Sequence, residues 1–158
     1  MIRHAKSSWA NAGQDDFDRP LNERGNRDAP AMAGRLLKDD VKIDAFISSP
    51  ANRALSTATL FAKAYGSDKK EILQHAELYH ATPPAFLKVI GKISDDVKTA
   101  AIFSHNPGIT DFVNMLTDAR IDNMPTCGVF AIKADIKHWK DFEKAEKEFW
   151  FFDYPKND

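Results

Sequence analysis

What most constrains this chain is a rhythm: short apolar runs of strand length alternate with amphipathic helical stretches along nearly its whole length. Residues 43–48 (Ile-Asp-Ala-Phe-Ile-Ser), 71–74, 99–104, 128–134 and 148–152 read as strands, and 2–5 as the end of another. Between them, 51–65, 83–93 and 109–116 carry helical periodicity, the first closed by Gly66. Alternation of this kind predicts a three-layer α/β/α fold, a mostly parallel central sheet with helices on both faces. No repeat, low-complexity tract or linker interrupts it, so residues 1–158 form a single domain by this reading.

Local signals refine the picture. Asn22 has the chemistry of a helix cap for a helix opening at Glu23. Pro30 removes a helical hydrogen-bond donor, which predicts a short first helix and a restart with Asp28 as cap and Pro30 in the first turn. Residues 7–20 are polar and form a long loop, a length that is often functional. Only Met1 and Ile2 precede Arg3-His4, whereas a strand commonly has about five residues. The strand ending there is therefore expected to begin upstream of Met1.

The charge balance narrows the function. With 22 basic and 23 acidic side chains the net charge is -1, which offers no electrostatic reason for nucleic acid or an anionic membrane as partner. The single cysteine, Cys127, admits no intramolecular disulfide and reads as a small buried hydrophobe, suiting a reducing compartment. The first residues lack the apolar run of a signal peptide, and no stretch approaches the ~18 apolar residues of a membrane span. A cytoplasmic location is expected.

Three segments share one grammar, a short strand followed by polar residues at its carboxyl end. They are Arg3-His4, then Ser48-Ser49-Pro50-Ala51-Asn52-Arg53, then Ser104-His105-Asn106-Pro107-Gly108. In a parallel sheet such ends converge on one edge, where ligands bind. Two histidines and two arginines would meet there, with helix N-termini facing them. Arginine is permanently charged, and its planar fork fits phosphate oxygens. A helix N-terminus adds unpaired N–H groups. Imidazole serves as nucleophile or donor near neutral pH, and nearby arginines keep it neutral.

On these residues the chain resembles the histidine phosphatase superfamily, the phosphoglycerate-mutase-like group. Asp18-Arg19-Pro20-Leu21-Asn22-Glu23-Arg24-Gly25, Ser48-Ser49-Pro50, Arg53 with Thr57-Ala58, and Ser104-His105-Asn106-Pro107 resemble its SixA branch of small phosphohistidine phosphatases. The resemblance runs from Arg3 to about Leu116 and implies roles. His4 is the nucleophile that becomes phosphorylated. Arg3 and Arg53 bind phosphate, and His105 donates a hydrogen bond to it. Arg19 reaches the same phosphate from the loop, or else pairs with Asp16 or Asp18. Glu77 is the best candidate for the acid that protonates the leaving group, although some members of the branch work without a well-placed acid. Neither a metal nor an organic cofactor is implied.

The remaining conspicuous residues have plainer readings. His75 and His80 lack the one-face helical spacing of a zinc pair and, with His138, read as structural or surface residues. Trp139, Phe149, Trp150, Phe151 and Phe152 belong to the core or cover it, and residues 141–148 form a solvated face. Three functions remain open. The first is a phosphatase acting on phosphohistidine of a partner protein, favoured because so short a chain has little sequence with which to wall in a metabolite. The second is a phosphomonoesterase for a small molecule, which Lys6, Tyr79 and His80 could read. The third is an idle phosphate-binding module.

Overall fold

A computed structural model describes residues 1–157. Six strands form one sheet: β1 (Ile2–Arg3), β2 (Ala45–Ser48), β3 (Leu73–Gln74), β4 (Ala100–Ser104), β5 (Val129–Ala134) and β6 (Lys147–Asp153), in the order β3-β2-β4-β1-β5-β6. The first four strands in that order run parallel, and β5 and β6 join antiparallel. The sheet is thus mixed, with its parallel part where the strand ends named above lie. β1 is central, Ile2 pairing with Phe103 on one side and Val129 on the other.

Successive strand residues point to opposite faces, and the core divides accordingly. Phe46, Ala101, Phe103 and Val129 join α1 (Glu23–Lys38) and α2 (Asn52–Ala64) on one face. Ile47, Ile102 and Phe130 join α3 (Pro83–Gly91) and α4 (Gly108–Leu116) on the other. These are the three expected layers. Among the described residues no helix is long and apolar enough to cross a membrane.

Two readings need correction. α1 runs unbroken through Pro30 instead of restarting at Asp28. Asn22 caps it, its side chain accepting the Gly25 N–H at 2.9 Å. Pro30 lies on the solvent side, so the Asn26 carbonyl it leaves without an intrahelical partner faces water. The buried stripe Gly25, Ala29, Met32, Ala33 and Leu36 continues past it on the other side, and packing of that stripe holds the helix together. Gly25 is required for close approach: a Cβ there would lie 2.2 Å from the Lys6 carbonyl oxygen. The second correction concerns 141–148, which is not wholly solvated. Residues Trp139–Lys144 form a 3-10 turn that buries Phe142 against the α3–α4 layer.

Candidate active site

The order β2-β4-β1 sets three strand ends side by side. Arg3 is in register with Ser104, and Ser48 with Phe103. The chain just past each strand is tied to its neighbour: the His4 N–H donates to the Ser104 carbonyl at 3.1 Å, and the Ser49 N–H to the Phe103 carbonyl at 3.0 Å. His4 and His105 therefore face each other with ring centroids 5.2 Å apart.

His4 is buried, and its Nδ1 lies 2.8 Å from the Ala5 carbonyl oxygen. A carbonyl only accepts, so Nδ1 carries the proton and Nε2 keeps its lone pair. Burial lowers the His4 pKa to about 3; the Ala5 hydrogen bond opposes this, and Arg53, Arg3 and Arg19 reinforce it. The ring is neutral at physiological pH, with the bare Nε2 that a nucleophile requires. The loop behind it is anchored by Thr57, which accepts the Ala5 N–H at 2.9 Å and donates to the Arg53 carbonyl at 2.7 Å.

The arginines surround this ring. Arg3 donates through Nη1 to the Met124 carbonyl at 2.8 Å, leaving its Nε buried without a partner. Arg53, in the first turn of α2, is more deeply buried than the half-buried Arg3, and its Nε is also unpartnered. Buried N–H groups left open in this way are costly unless a ligand meets them. His105 is buried, with Nε2 2.8 Å from Ser49 Oγ and Nδ1 unpartnered. Burial lowers its pKa to about 2, helped by His4 and Arg53.

Arg19 is buried as well and reaches back to β1's loop, donating to Ser7 Oγ at 2.7 Å while its guanidinium lies 3.5 Å from the Trp9 ring centroid. It also pairs with Asp16, Nε to Oδ1 at 3.1 Å, the alternative the sequence left open. Asp16 links it to the rest. Arg53 Nη2 donates to Asp16 Oδ2 at 3.0 Å, Arg53 Nη1 to the Asp16 carbonyl at 2.7 Å, and the Tyr79 hydroxyl to Oδ2 at 2.6 Å. Three guanidinium groups against one carboxylate leave a positive surplus matched to a phosphoryl dianion. Glu77 has cationic neighbours of its own: its carboxylate lies 3.9 Å from His75 Nδ1 and 3.9 Å from Lys88 Nζ.

Sequence comparison bears directly on this constellation. The pattern of the histidine phosphatase superfamily (branch 1) matches residues 1–79, half of the chain. An uncharacterized protein of Mycobacterium leprae is 30% identical over 98% of this chain and 100% of its own length. The chain belongs to the histidine phosphatase superfamily. Among solved structures, a putative phosphohistidine phosphatase SixA of Agrobacterium tumefaciens superposes with a TM-score of 0.81 at 27% identity, covering 98% of this chain and 95% of that one. A mycobacterial glucosyl-3-phosphoglycerate phosphatase shares the fold at a TM-score of 0.66 and 16% identity, covering 95% of each chain. The sequence motifs and the fold of this histidine phosphatase are those of the SixA-type branch.

Three residues of this histidine phosphatase site escaped the sequence reading as contributors: Asp16, Ser49 and Tyr79. Ser49 lies inside the Ser48-Ser49-Pro50 motif, which by itself assigns it no role. The sequence offers Tyr79 only as a reader of metabolites. Asp16 precedes Arg19 by three residues, a spacing that hints at a pair but not at its further bonds to Arg53 and Tyr79.

Proposed function

We propose that this histidine phosphatase removes the phosphoryl group from phosphohistidine on a partner protein through a covalent phospho-His4 intermediate. His4 Nε2 attacks phosphorus, and the bond between phosphorus and the substrate imidazole breaks. Water then attacks phospho-His4, releasing inorganic phosphate and free His4. Arg3, Arg53 and Arg19 offset the charge on the phosphoryl oxygens, the main source of rate in phosphoryl transfer.

The supporting observation is where the carboxylates stand. Asp16 is held ionised by Tyr79, Arg53 and Arg19, and Glu77 faces His75 and Lys88. Both carboxylates are held below the ordinary carboxylate range, so neither carries a proton to give at neutral pH. An ester oxygen needs that proton. A phosphohistidine protonated on its distal ring nitrogen departs as neutral imidazole without one, so general acid catalysis, elsewhere ~10²–10⁴-fold, is dispensable. The fold shared with a glucosyl-3-phosphoglycerate phosphatase favours a second reading, a small phosphomonoester substrate.

One experiment separates the two. A His-containing peptide phosphorylated with phosphoramidate, and a panel of sugar phosphates, are offered to wild type, His4→Ala and Glu77→Gln. The expected result is acid-labile phosphate trapped on wild type and absent from His4→Ala, with Glu77→Gln hydrolysing the peptide within about threefold of wild type. Efficient ester turnover that falls ~10²-fold in Glu77→Gln would transfer the assignment to small phosphomonoesters.

A further inference from the structure

His105 has one proton to offer and two nitrogens to carry it. The nitrogen that holds it decides whether the ring is a donor or an acceptor toward a phosphoryl oxygen. The surroundings of Ser49 bear on that choice. Ser49 is fully buried at 0% exposure, directly after β2. Its Oγ accepts the Ala51 N–H at 3.2 Å and lies 2.8 Å from His105 Nε2. Among the described residues these are its two hydrogen-bond partners. Ala51 supplies a donor, so the serine proton has a single acceptor, the lone pair of Nε2. Were Nε2 protonated instead, two donors would converge on Oγ and the serine proton would be stranded in the interior without an acceptor.

We propose that Ser49 is a positioning residue that fixes His105 as the Nδ1–H tautomer, so that the phosphoryl group meets a donor from that ring. The consequence for catalysis rests on the phosphatase reading; the tautomer itself does not. Nδ1 is the atom that is buried without a partner in the protein. The His105 ring centroid lies 5.2 Å from that of His4, and Arg3 and Arg53, whose charges act on His4, likewise keep a buried Nε without a partner. Ser49 is itself held rigidly, since its N–H bonds Phe103 and its carbonyl accepts the Ser48 hydroxyl at 2.8 Å. A chain of fixed bonds therefore runs from the sheet to the donor. Preorganised donors of this kind act most strongly where charge develops in the transition state.

The test reads the tautomer directly. Nitrogen-15 imidazole spectra of the wild-type protein at pH 7.5, assigned by comparison with His105→Gln, are expected to show His105 protonated on Nδ1 and bare on Nε2. Ser49→Ala is expected to lose the single tautomer and to lower kcat on the phosphohistidine peptide about 10²-fold with KM little changed. Ser49→Thr, which keeps a hydroxyl, restores both. A wild-type spectrum with the proton on Nε2, or a Ser49→Ala spectrum still purely Nδ1–H, overturns the proposal. Failure to trap phospho-His4 would instead strike the phosphatase reading and leave the spectrum standing.

Discussion

At the scale of single residues, Asp16 is the least expected participant. A carboxylate beside a phosphate site repels the ligand, so it must contribute something in return. Its bonds say what: it fixes the Arg53 and Arg19 guanidiniums relative to each other and draws the Tyr79 hydroxyl over them. The hydrogen bond from Tyr79, followed by Arg53 and Arg19, holds its pKa well below the ordinary 3.8 despite some desolvation. It cannot be a general acid, and it orders the arginines. Asp16→Asn removes the charge with little change in shape. The binding surplus of positive charge then grows while the alignment is lost. The expected outcome is a kcat lowered about 10-fold to 100-fold with KM unchanged or lower, read in steady-state hydrolysis of the phosphohistidine peptide. A raised KM at constant kcat would show that Asp16 serves binding alone.

At the scale of elements, α1 carries a defect that its packing outweighs. Pro30 sits in the solvent-facing side of a 16-residue helix. An interior proline costs about 3 kcal/mol relative to alanine in a helix, partly offset because it also stiffens the unfolded chain. Pro30→Ala is expected to raise stability by about 1–3 kcal/mol in urea denaturation, without altering turnover, since Pro30 lies on the solvent side of α1, away from the stripe that packs on α2 and the Lys6 loop. The same helix shows what sequence alone can carry. Caps and apolar stripes were legible: Asn22 before α1, Gly66 after α2 at φ 77, and the runs that became β2, β4 and β5. Local propensity placed a break at Pro30, and tertiary packing overrode it. In the site, Arg3, His4, Arg53 and His105 were legible because each follows or terminates a recognisable strand, and parallel pairing alone brings such ends together. Asp16 was not. Its partners Arg53 and Tyr79 lie 37 and 63 positions away, and no periodicity reports a clamp between a polar loop and two distant elements.

At the scale of the whole molecule, the two buried histidines tie stability to pH. In the unfolded chain each takes a proton near 6.5; in the folded protein burial delays this to about 3 for His4 and about 2 for His105. Between those limits the unfolded state binds more protons than the native state, so stability rises with pH and is lost on acidification. The limiting slope is about 1.4 kcal/mol per pH unit for each histidine. Asp16, with its pKa depressed, adds a further loss only as pH falls through 3.8 and below. Urea denaturation from pH 7 to pH 4 is therefore expected to show stability falling by about 2–3 kcal/mol per unit below pH 6. In His4→Gln the slope should drop to about half, because one of the two delayed protonations is gone. A profile that stays flat to pH 4 in the wild type would mean that the folded site admits protons freely. The neutrality of His4 would then depend on the pH of its surroundings instead of on its burial.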